Sequence, residues 1–191
     1  MKKIHLIKPL RYIPRSSKTQ SLYDGFHQVA LRLYDPDLLV HRDPTQKSTQ
    51  IALCSTSLRA IQTAKSSGEV KLRNTELLNE ITFDLTKLLS KKEYGLFGST
   101  LVRDRFIEAF ISDSLIESRD DIKFRITELI TLIKELDQEV VNCYSHSFFM
   151  KVTEAYISSD CSLFENPIIL RNYIKSDQST YRYGTGVILR I

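Results

Sequence analysis

The stretch that decides the fold is Ser55-Thr56-Ser57-Leu58-Arg59-Ala60-Ile61-Gln62-Thr63-Ala64. It follows the short apolar run 50–54, which predicts a buried strand because such runs, bounded by turn residues, are typical of parallel sheets. The hydroxyl-rich start predicts a tight turn, and a helix is expected over about residues 57–67, closed by Gly68. The stretch therefore predicts a strand, a polar turn and a helix whose first turn carries Arg59.

Short apolar runs alternate with longer helical patterns along the rest of the chain. Further strands are predicted at residues 3–7, 140–144 and 183–191, and further helices at about 21–34 and 118–133. Helical pieces also flank residues 94–98, whose two glycines predict a mobile connection. Alternating strands and helices are typical of an α/β domain. We therefore predict a three-layer sandwich with a mainly parallel sheet flanked by helices.

The bulk composition is that of an ordinary globular protein. The chain has 191 residues, of which 42% are hydrophobic and 26% charged, and this length suits one domain with a substantial core. No apolar run approaches the roughly 20 residues that span a bilayer. The segment between Lys3 and Pro9 is too short for the apolar centre of a signal peptide. We therefore expect a cytoplasmic protein without a membrane partner.

Charge and cysteine content argue against several other classes of protein. The formal net charge of +4 is modest and its basic residues are scattered, so we expect no nucleic-acid partner. Cys54, Cys143 and Cys161 are odd in number and form no CxxC pair, which predicts reduced thiols, with Cys54 and Cys143 in the core. Histidines and cysteines are too dispersed to ligate a metal, and we predict neither a metal nor a cofactor.

Polar residues cluster directly after three of the predicted strands. The segments are Lys8-Pro9-Leu10-Arg11, Ser55-Thr56-Ser57 with the nearby Arg59, and Ser145-His146-Ser147. The carboxyl ends of parallel strands share one edge of a sheet, where α/β proteins bind ligands. Helix N-termini at that edge offer N–H groups and a positive dipole end, both of which suit a phosphate. The sequence therefore predicts an anion site at this edge.

Three further segments accompany the stretch at residues 55–64. They are Leu77-Leu78-Asn79-Glu80-Ile81, Val140-Val141-Asn142-Cys143-Tyr144-Ser145-His146 and Gly25-Phe26-His27-Gln28. Taken in their order along the chain, the four segments resemble the motifs of the histidine phosphatase superfamily, which includes phosphoglycerate mutases, sugar bisphosphatases and phosphoprotein phosphatases. The resemblance implies a phosphoglycerate mutase-like fold in a single domain over residues 1–191, with a variable insertion at about 84–117.

The chain departs from that family at the end of its first strand. The family has Arg-His-Gly there, and this chain has Lys8 at the arginine, Pro9 at the nucleophilic histidine and Leu10 at the glycine. A second family glycine, after His146, is Ser147 here. The family histidine attacks phosphorus with a free lone pair, and the ring nitrogen of Pro9 lies within the peptide bond and offers none. Lys8 keeps the positive charge of the arginine but loses its planar two-point fork.

The resemblance implies roles for the remaining pocket residues. Arg59 binds two phosphate oxygens, and His146 donates a hydrogen bond to another. Lys8 adds a phosphate-binding positive charge at the edge of the pocket. Glu80 corresponds to the general acid that protonates the leaving group in active relatives. The ordinary alternatives are a surface ion pair for Arg59, a backbone hydrogen bond for His146 and a loop position without function for Glu80.

The other candidate residues receive smaller roles. Arg11 and Arg15 would add positive charge to the site, although loop arginines are more often solvated. His5, on the first strand, is predicted to be a buried or half-buried core residue. His27 and His41 belong to no catalytic pattern and are assigned no role.

Three functions fit these residues. In the first, the chain is a catalytically impaired, histidine phosphatase-like protein that binds a phosphorylated small molecule, or the phospho-group of a protein, through Lys8, Arg59 and His146. In the second, it is an active phosphatase in which His146 or a water molecule replaces the missing nucleophile. In the third, it is a scaffold with a vestigial pocket. We expect the first, because catalytic groups that act as a unit lose most activity when one is removed.

Overall fold

A computed structural model describes residues 2–9, 50–175 and 186–191 of the chain. Several expectations lie outside these residues. They are the helix at about 21–34 with its Gly25-Phe26-His27-Gln28 segment, the side chains of Leu10, Arg11, Arg15 and His41, and the first residues of the strand predicted at 183–191.

The described strands form one five-stranded sheet. The strands are β1 (Lys3–Ile7), β2 (Ala52–Cys54), β3 (Leu72–Asn74), β4 (Val140–Tyr144) and β5 (Gly186–Arg190). Their spatial order is β3-β2-β4-β1-β5, with all neighbours parallel except β1 and β5, which are antiparallel. The mainly parallel α/β sheet is therefore confirmed, with an antiparallel strand at one edge.

Helices cover the sheet. They are α1 (Leu58–Ser66), α2 (Leu85–Leu88), α3 (Lys91–Ile111), α4 (Arg119–Glu135), α5 (Ser147–Ser158) and α6 (Ile168–Lys175), with a short 3-10 helix at Glu76–Leu78. None of these described helices is long and apolar enough to cross a membrane.

Each face of the sheet has its own apolar core, because successive side chains of a strand point to opposite faces. The larger core contains Ile4 and Leu6 of β1 together with the buried residues of α3, α4 and α5. The smaller core joins Ile7 and Tyr144 to Ala60 of α1. Two cores on opposite faces of one sheet confirm the three-layer sandwich.

The helix that carries Arg59 begins and ends where the sequence predicts. Ser57 is its N-cap, and the Ser57 hydroxyl accepts a hydrogen bond from the N–H of Ala60 at 3.2 Å. Gly68 follows the helix with φ of 86°, a left-handed conformation that glycine adopts without steric cost. These two residues fix the helix ends, and Arg59 therefore lies in the first turn of α1.

The prediction of a connection at residues 94–98 is wrong, because most of this segment lies in α3. Ser90 and Glu93 form a capping box that starts α3 upstream of both glycines, and Gly95 is accommodated within the helix. Only Gly98 departs from helical geometry, with φ of 60° and ψ of −149°, and it kinks α3. Gly98 thus kinks a helix at the place where the sequence predicted a mobile connection.

The cysteines and His5 lie where the sequence predicts. Cys54 and Cys143 are fully buried on β2 and β4, and all three thiols are free. His5 is half-buried on β1, with Nδ1 3.2 Å from Oδ1 of Asn142 on the neighbouring strand. The burial of Cys54 and Cys143 and the contact of His5 with Asn142 support structural roles for these three residues.

Candidate functional site

The ends of β1, β4 and β2 meet at one edge of the sheet, as predicted. Ile7 pairs with Tyr144, which also pairs with Cys54, so the residues that follow these strands are neighbours. Backbone hydrogen bonds continue past the strand ends, from Ser145 N–H to the Ile7 carbonyl at 3.1 Å and from Ser55 N–H to the Tyr144 carbonyl at 2.9 Å. This edge brings Lys8, Arg59 and His146 into one region.

A hydrogen-bonded network holds the turn after β2. The amide oxygen of Asn79 accepts from the Ser55 hydroxyl at 2.7 Å, the Thr56 N–H at 3.0 Å and the Thr56 hydroxyl at 2.9 Å. Ser55 and Asn79 are both buried. Asn79 thereby connects the 3-10 helix region to the turn that precedes α1. The motif match predicted that these segments belong together, but it assigned no role to Asn79.

His146 lies between Arg59 and the serines of that turn. Nη2 of Arg59 is 2.9 Å from Nδ1 of His146, and Nε2 of His146 is 2.9 Å from the hydroxyl of Ser55 and 3.3 Å from that of Ser57. A guanidinium can only donate, so Nδ1 must accept the hydrogen bond. We therefore assign the ring proton of a neutral His146 to Nε2, which donates towards the serine hydroxyls.

Glu80 caps the helix that follows His146. Its carboxylate accepts the N–H of Phe149 at 2.8 Å and the N–H of Phe148 at 3.2 Å, in the first turn of α5. Burial raises the pKa of the Glu80 carboxyl, although backbone N–H groups and the charge of Arg59 oppose the rise. Helix N-termini at this edge were expected to offer N–H groups to a phosphate, and these two N–H groups of α5 are bonded to Glu80.

Lys8 lies within electrostatic range of three charged side chains: Arg59, Glu80 and Arg103. Burial, followed by the positive charges of Arg59 and Arg103, lowers the pKa of the Lys8 amine, while the Glu80 carboxylate opposes that change. All four residues singled out in the sequence, Lys8, Arg59, Glu80 and His146, therefore lie together. Their roles towards a phosphate stay predictions.

Two further cations belong to the same region, and the sequence motifs did not identify them. Lys151 on α5 is 7% exposed, and Arg103 lies on α3. Burial, Arg103 and Lys8 lower the pKa of Lys151 to about 8, against the opposing effect of Glu154. The position of Lys151 five residues after His146, on a helix starting at the site, was the available signal for it. Nothing in the local sequence distinguishes Arg103 from the other arginine on α3.

Pro9 is buried directly after Lys8 at the end of β1. The described part of the chain contains two histidines, and both are bonded to neighbouring side chains: His5 to Asn142, and His146 to Arg59. Across the described ranges, no group of three histidine, cysteine or acidic residues is arranged to hold a metal ion.

Comparison with known proteins identifies similar structures but no matching family model and no matching curated protein. The product of open reading frame Rv3214 from Mycobacterium tuberculosis is 12% identical, with a TM-score of 0.50 over 98% of this chain and 89% of that one. A phosphoserine phosphatase variant from Entamoeba histolytica, in complex with phosphoserine, is 16% identical, with a TM-score of 0.46 over 98% and 89%. Mycobacterial hydrolase 1 is 12% identical, with a TM-score of 0.48 over 86% and 82%.

The Rv3214 product is a member of the histidine phosphatase superfamily. This chain shares its fold. At 12% identity the similarity to the Rv3214 product concerns the arrangement of strands and helices, and it carries no statement about ligands. Within this fold, Arg59, Glu80 and His146 lie together at the ends of β1, β2 and β4. Pro9 follows Lys8, at the position where the resemblance implies the nucleophile.

Proposed function

We propose that this chain is a phosphatase-like protein that binds a phosphate-bearing ligand through Lys8, Arg59 and His146 and turns it over poorly or not at all. The ligand is a phosphorylated small molecule or the phospho-group of a protein. The observation that carries the proposal is the contact between Arg59 and His146 at 2.9 Å, beside Lys8, at the carboxyl ends of three adjacent strands.

The three residues complement a phosphate in different ways. Arg59 contacts His146, and its guanidinium is a planar fork of N–H donors whose geometry matches two phosphate oxygens. Lys8 adds a compact positive charge. His146 is held by Arg59 on one side and by Ser55 on the other, so its ring has a fixed orientation. To donate to a phosphate, its Nε2 proton would have to leave the serine hydroxyls for a phosphate oxygen. A fixed donor set lowers the entropic cost of binding an anion.

The chemistry at Pro9 and His146 supports the proposal of little or no turnover. The nitrogen of Pro9 is an amide and has no lone pair to attack phosphorus. Nδ1 of His146 accepts from Arg59, and Nε2 faces the serine hydroxyls. The lone pair of His146 is therefore engaged by Arg59, which counts against His146 as a substitute nucleophile.

One observation favours an active phosphatase as the second candidate. Burial raises the pKa of the Glu80 carboxyl, which keeps a proton at a higher pH than usual and suits a general acid. In this alternative, water attacks the phosphorus while Glu80 protonates the leaving oxygen. The bonds from Phe148 and Phe149 to the carboxylate favour the ionised form and oppose this role.

Binding and turnover are tested separately. Calorimetric titration with orthophosphate and with vanadate at pH 7 is expected to show saturable binding that Arg59→Ala removes. Arg73→Ala, a change of an exposed arginine on β3, is the matched control and is expected to bind like the unchanged protein. Hydrolysis of p-nitrophenyl phosphate is expected to stay at the level of a heat-inactivated blank.

The outcomes decide among the three functions. If the unchanged protein hydrolyses p-nitrophenyl phosphate and the Glu80→Gln variant does not, the active phosphatase is established. Failure of orthophosphate, vanadate and small phosphomonoesters to bind at millimolar concentration would reject the binding proposal and leave the scaffold. The free, buried Cys54 and Cys143 fit the reducing cytoplasm that we propose as the location of the chain.

A further inference from the structure

Helix α3 is fixed against the start of α5, next to His146. The rings of Phe106 on α3 and Phe148 on α5 are stacked, with centroids 4.0 Å apart and an interplanar angle of 21°. Phe83 contacts both rings edge-on, at 5.6 Å from Phe106 and 5.4 Å from Phe148. Phe106 is fully buried, so the face of α3 that carries it packs against the beginning of α5.

Two cations lie one helical turn from this ring stack. Arg103 precedes Phe106 by three residues and Lys151 follows Phe148 by three, and residues three apart lie on the same face of a helix. The packing of Phe106 on Phe148 therefore brings a charge from α3 towards a charge on α5.

Lys8 completes a group of three interacting cations. Each of these three cations interacts electrostatically with the other two: Lys8, Arg103 and Lys151. Arg59 also acts on Lys8. Glu80 and Glu154 offset only part of this charge. Like charges held together at a strand-end site are expected where an anion binds.

We propose that Arg103 is a ligand-binding residue of this site and that its guanidinium supplies, from α3, the planar fork that Lys8 lacks. This inference rests on the proposed function. Lys8 stands where the resemblance implies an arginine, and a lysine amine contacts an anion as a point charge without bidentate geometry. The stack of Phe106 on Phe148 holds this part of α3 beside the helix that follows His146, and the charge of Arg103 acts on Lys8.

The test is a double-mutant cycle on orthophosphate affinity, measured by calorimetry at pH 7. Arg103→Gln is expected to weaken binding by about tenfold or more, the size typical of a lost hydrogen bond to a charged group. Arg105→Gln is the matched control, because Arg105 lies on the same helix, is partly exposed and pairs with Glu108 at 3.0 Å. Its dissociation constant is expected to stay within about twofold of the parent value.

The second part of the test places an arginine at residue 8, where the resemblance implies one. In a Lys8→Arg background, Arg103→Gln is expected to weaken binding by less than about threefold, because residue 8 then supplies the bidentate contact. Arg103→Lys, which keeps the charge, is expected to recover only part of the affinity in the parent background. Thermal unfolding of each variant confirms that it is folded.

Each result separates this inference from the proposed function. If the unchanged protein does not bind orthophosphate, the proposed function fails and this inference fails with it. If the unchanged protein binds and Arg103→Gln binds equally well, only the inference is overturned. Equal losses in the two backgrounds, or full recovery by Arg103→Lys, would mean that Arg103 contributes charge without replacing the fork, and would also overturn it.

Discussion

Replacing Lys151 by methionine tests how much the cationic group costs the folded chain. Burial first, then Arg103 and Lys8, lower the pKa of Lys151 from 10.5 to about 8. One pKa unit is worth about 1.4 kcal/mol, so the protonated Lys151 destabilises the fold by roughly 3 kcal/mol. Below pH 8 the amine is protonated in both states and this cost is complete. Between pH 8 and 10.5 only the unfolded chain holds the proton, and stability rises with pH.

Lys151→Met is therefore expected to raise the free energy of unfolding at pH 7 by about 1–3 kcal/mol. Methionine fills a similar unbranched space without a charge. The lower limit allows for Glu154, whose carboxylate loses a neighbouring cation. Urea unfolding at pH 7 and at pH 10.5 measures the effect, and the gain is expected to vanish at the higher pH, where the folded lysine is already neutral.

Lys87→Met is the control, because Lys87 is exposed on the short helix α2. Its free energy of unfolding is expected to change by less than about 0.5 kcal/mol at either pH. A lower stability of Lys151→Met at pH 7, or a gain that persists unchanged at pH 10.5, would refute the argument that Lys151 is a costly buried charge.

Three further predictions follow from the same contacts. Orthophosphate is expected to bind more weakly at pH 9.5 than at pH 7.5, because Lys151 loses its proton near pH 8, and calorimetry should show a smaller difference in Lys151→Met; equal affinities at the two pH values would contradict this. Asn79→Ala removes the acceptor of three hydrogen bonds and is expected to lower the free energy of unfolding by about 2–3 kcal/mol in urea, whereas unchanged stability would show that the turn holds without Asn79. Gly98→Ala places a side chain at φ of 60° and ψ of −149° and is expected to cost about 1–3 kcal/mol by thermal unfolding. Gly95→Ala, in open space within the same helix, is expected to be neutral or stabilising, and similar effects at both glycines would argue against strain at Gly98.

The parts of the fold that the sequence predicted are those with local signals. β4 begins at Val140 and ends at Tyr144 as expected, because a buried apolar run is bounded there by polar residues. α1 was predictable because Ser57 caps its start and Gly68 follows its end. The meeting of the three strand ends followed from parallel pairing alone.

The parts that the sequence did not predict depend on tertiary contacts. β3 has three residues, of which Leu72 is half-buried and two are exposed, so no apolar run marks it. β2 was predicted from residue 50 but begins at Ala52. Just before it, the backbone of Ile51 is bonded to the side chain of Gln138, through N–H to Oε1 at 3.0 Å and through the carbonyl to Nε2 at 2.7 Å. Arg103 was missed for the same reason, since the stack of Phe106 on Phe148 positions it.

The position of Glu80 determines which groups are left to hold an anion. Helix N-termini at this edge of the sheet were expected to offer N–H groups to a phosphate, but in α5 those of Phe148 and Phe149 are bonded to the Glu80 carboxylate. An anion that used the same N–H groups would have to displace Glu80 and would leave its negative charge next to the ligand. Binding to the side chains of Lys8, Arg59 and Arg103 avoids that repulsion. The capping carboxylate therefore favours cation-based recognition, and this makes the fork of Arg103 more important than the dipole of α5.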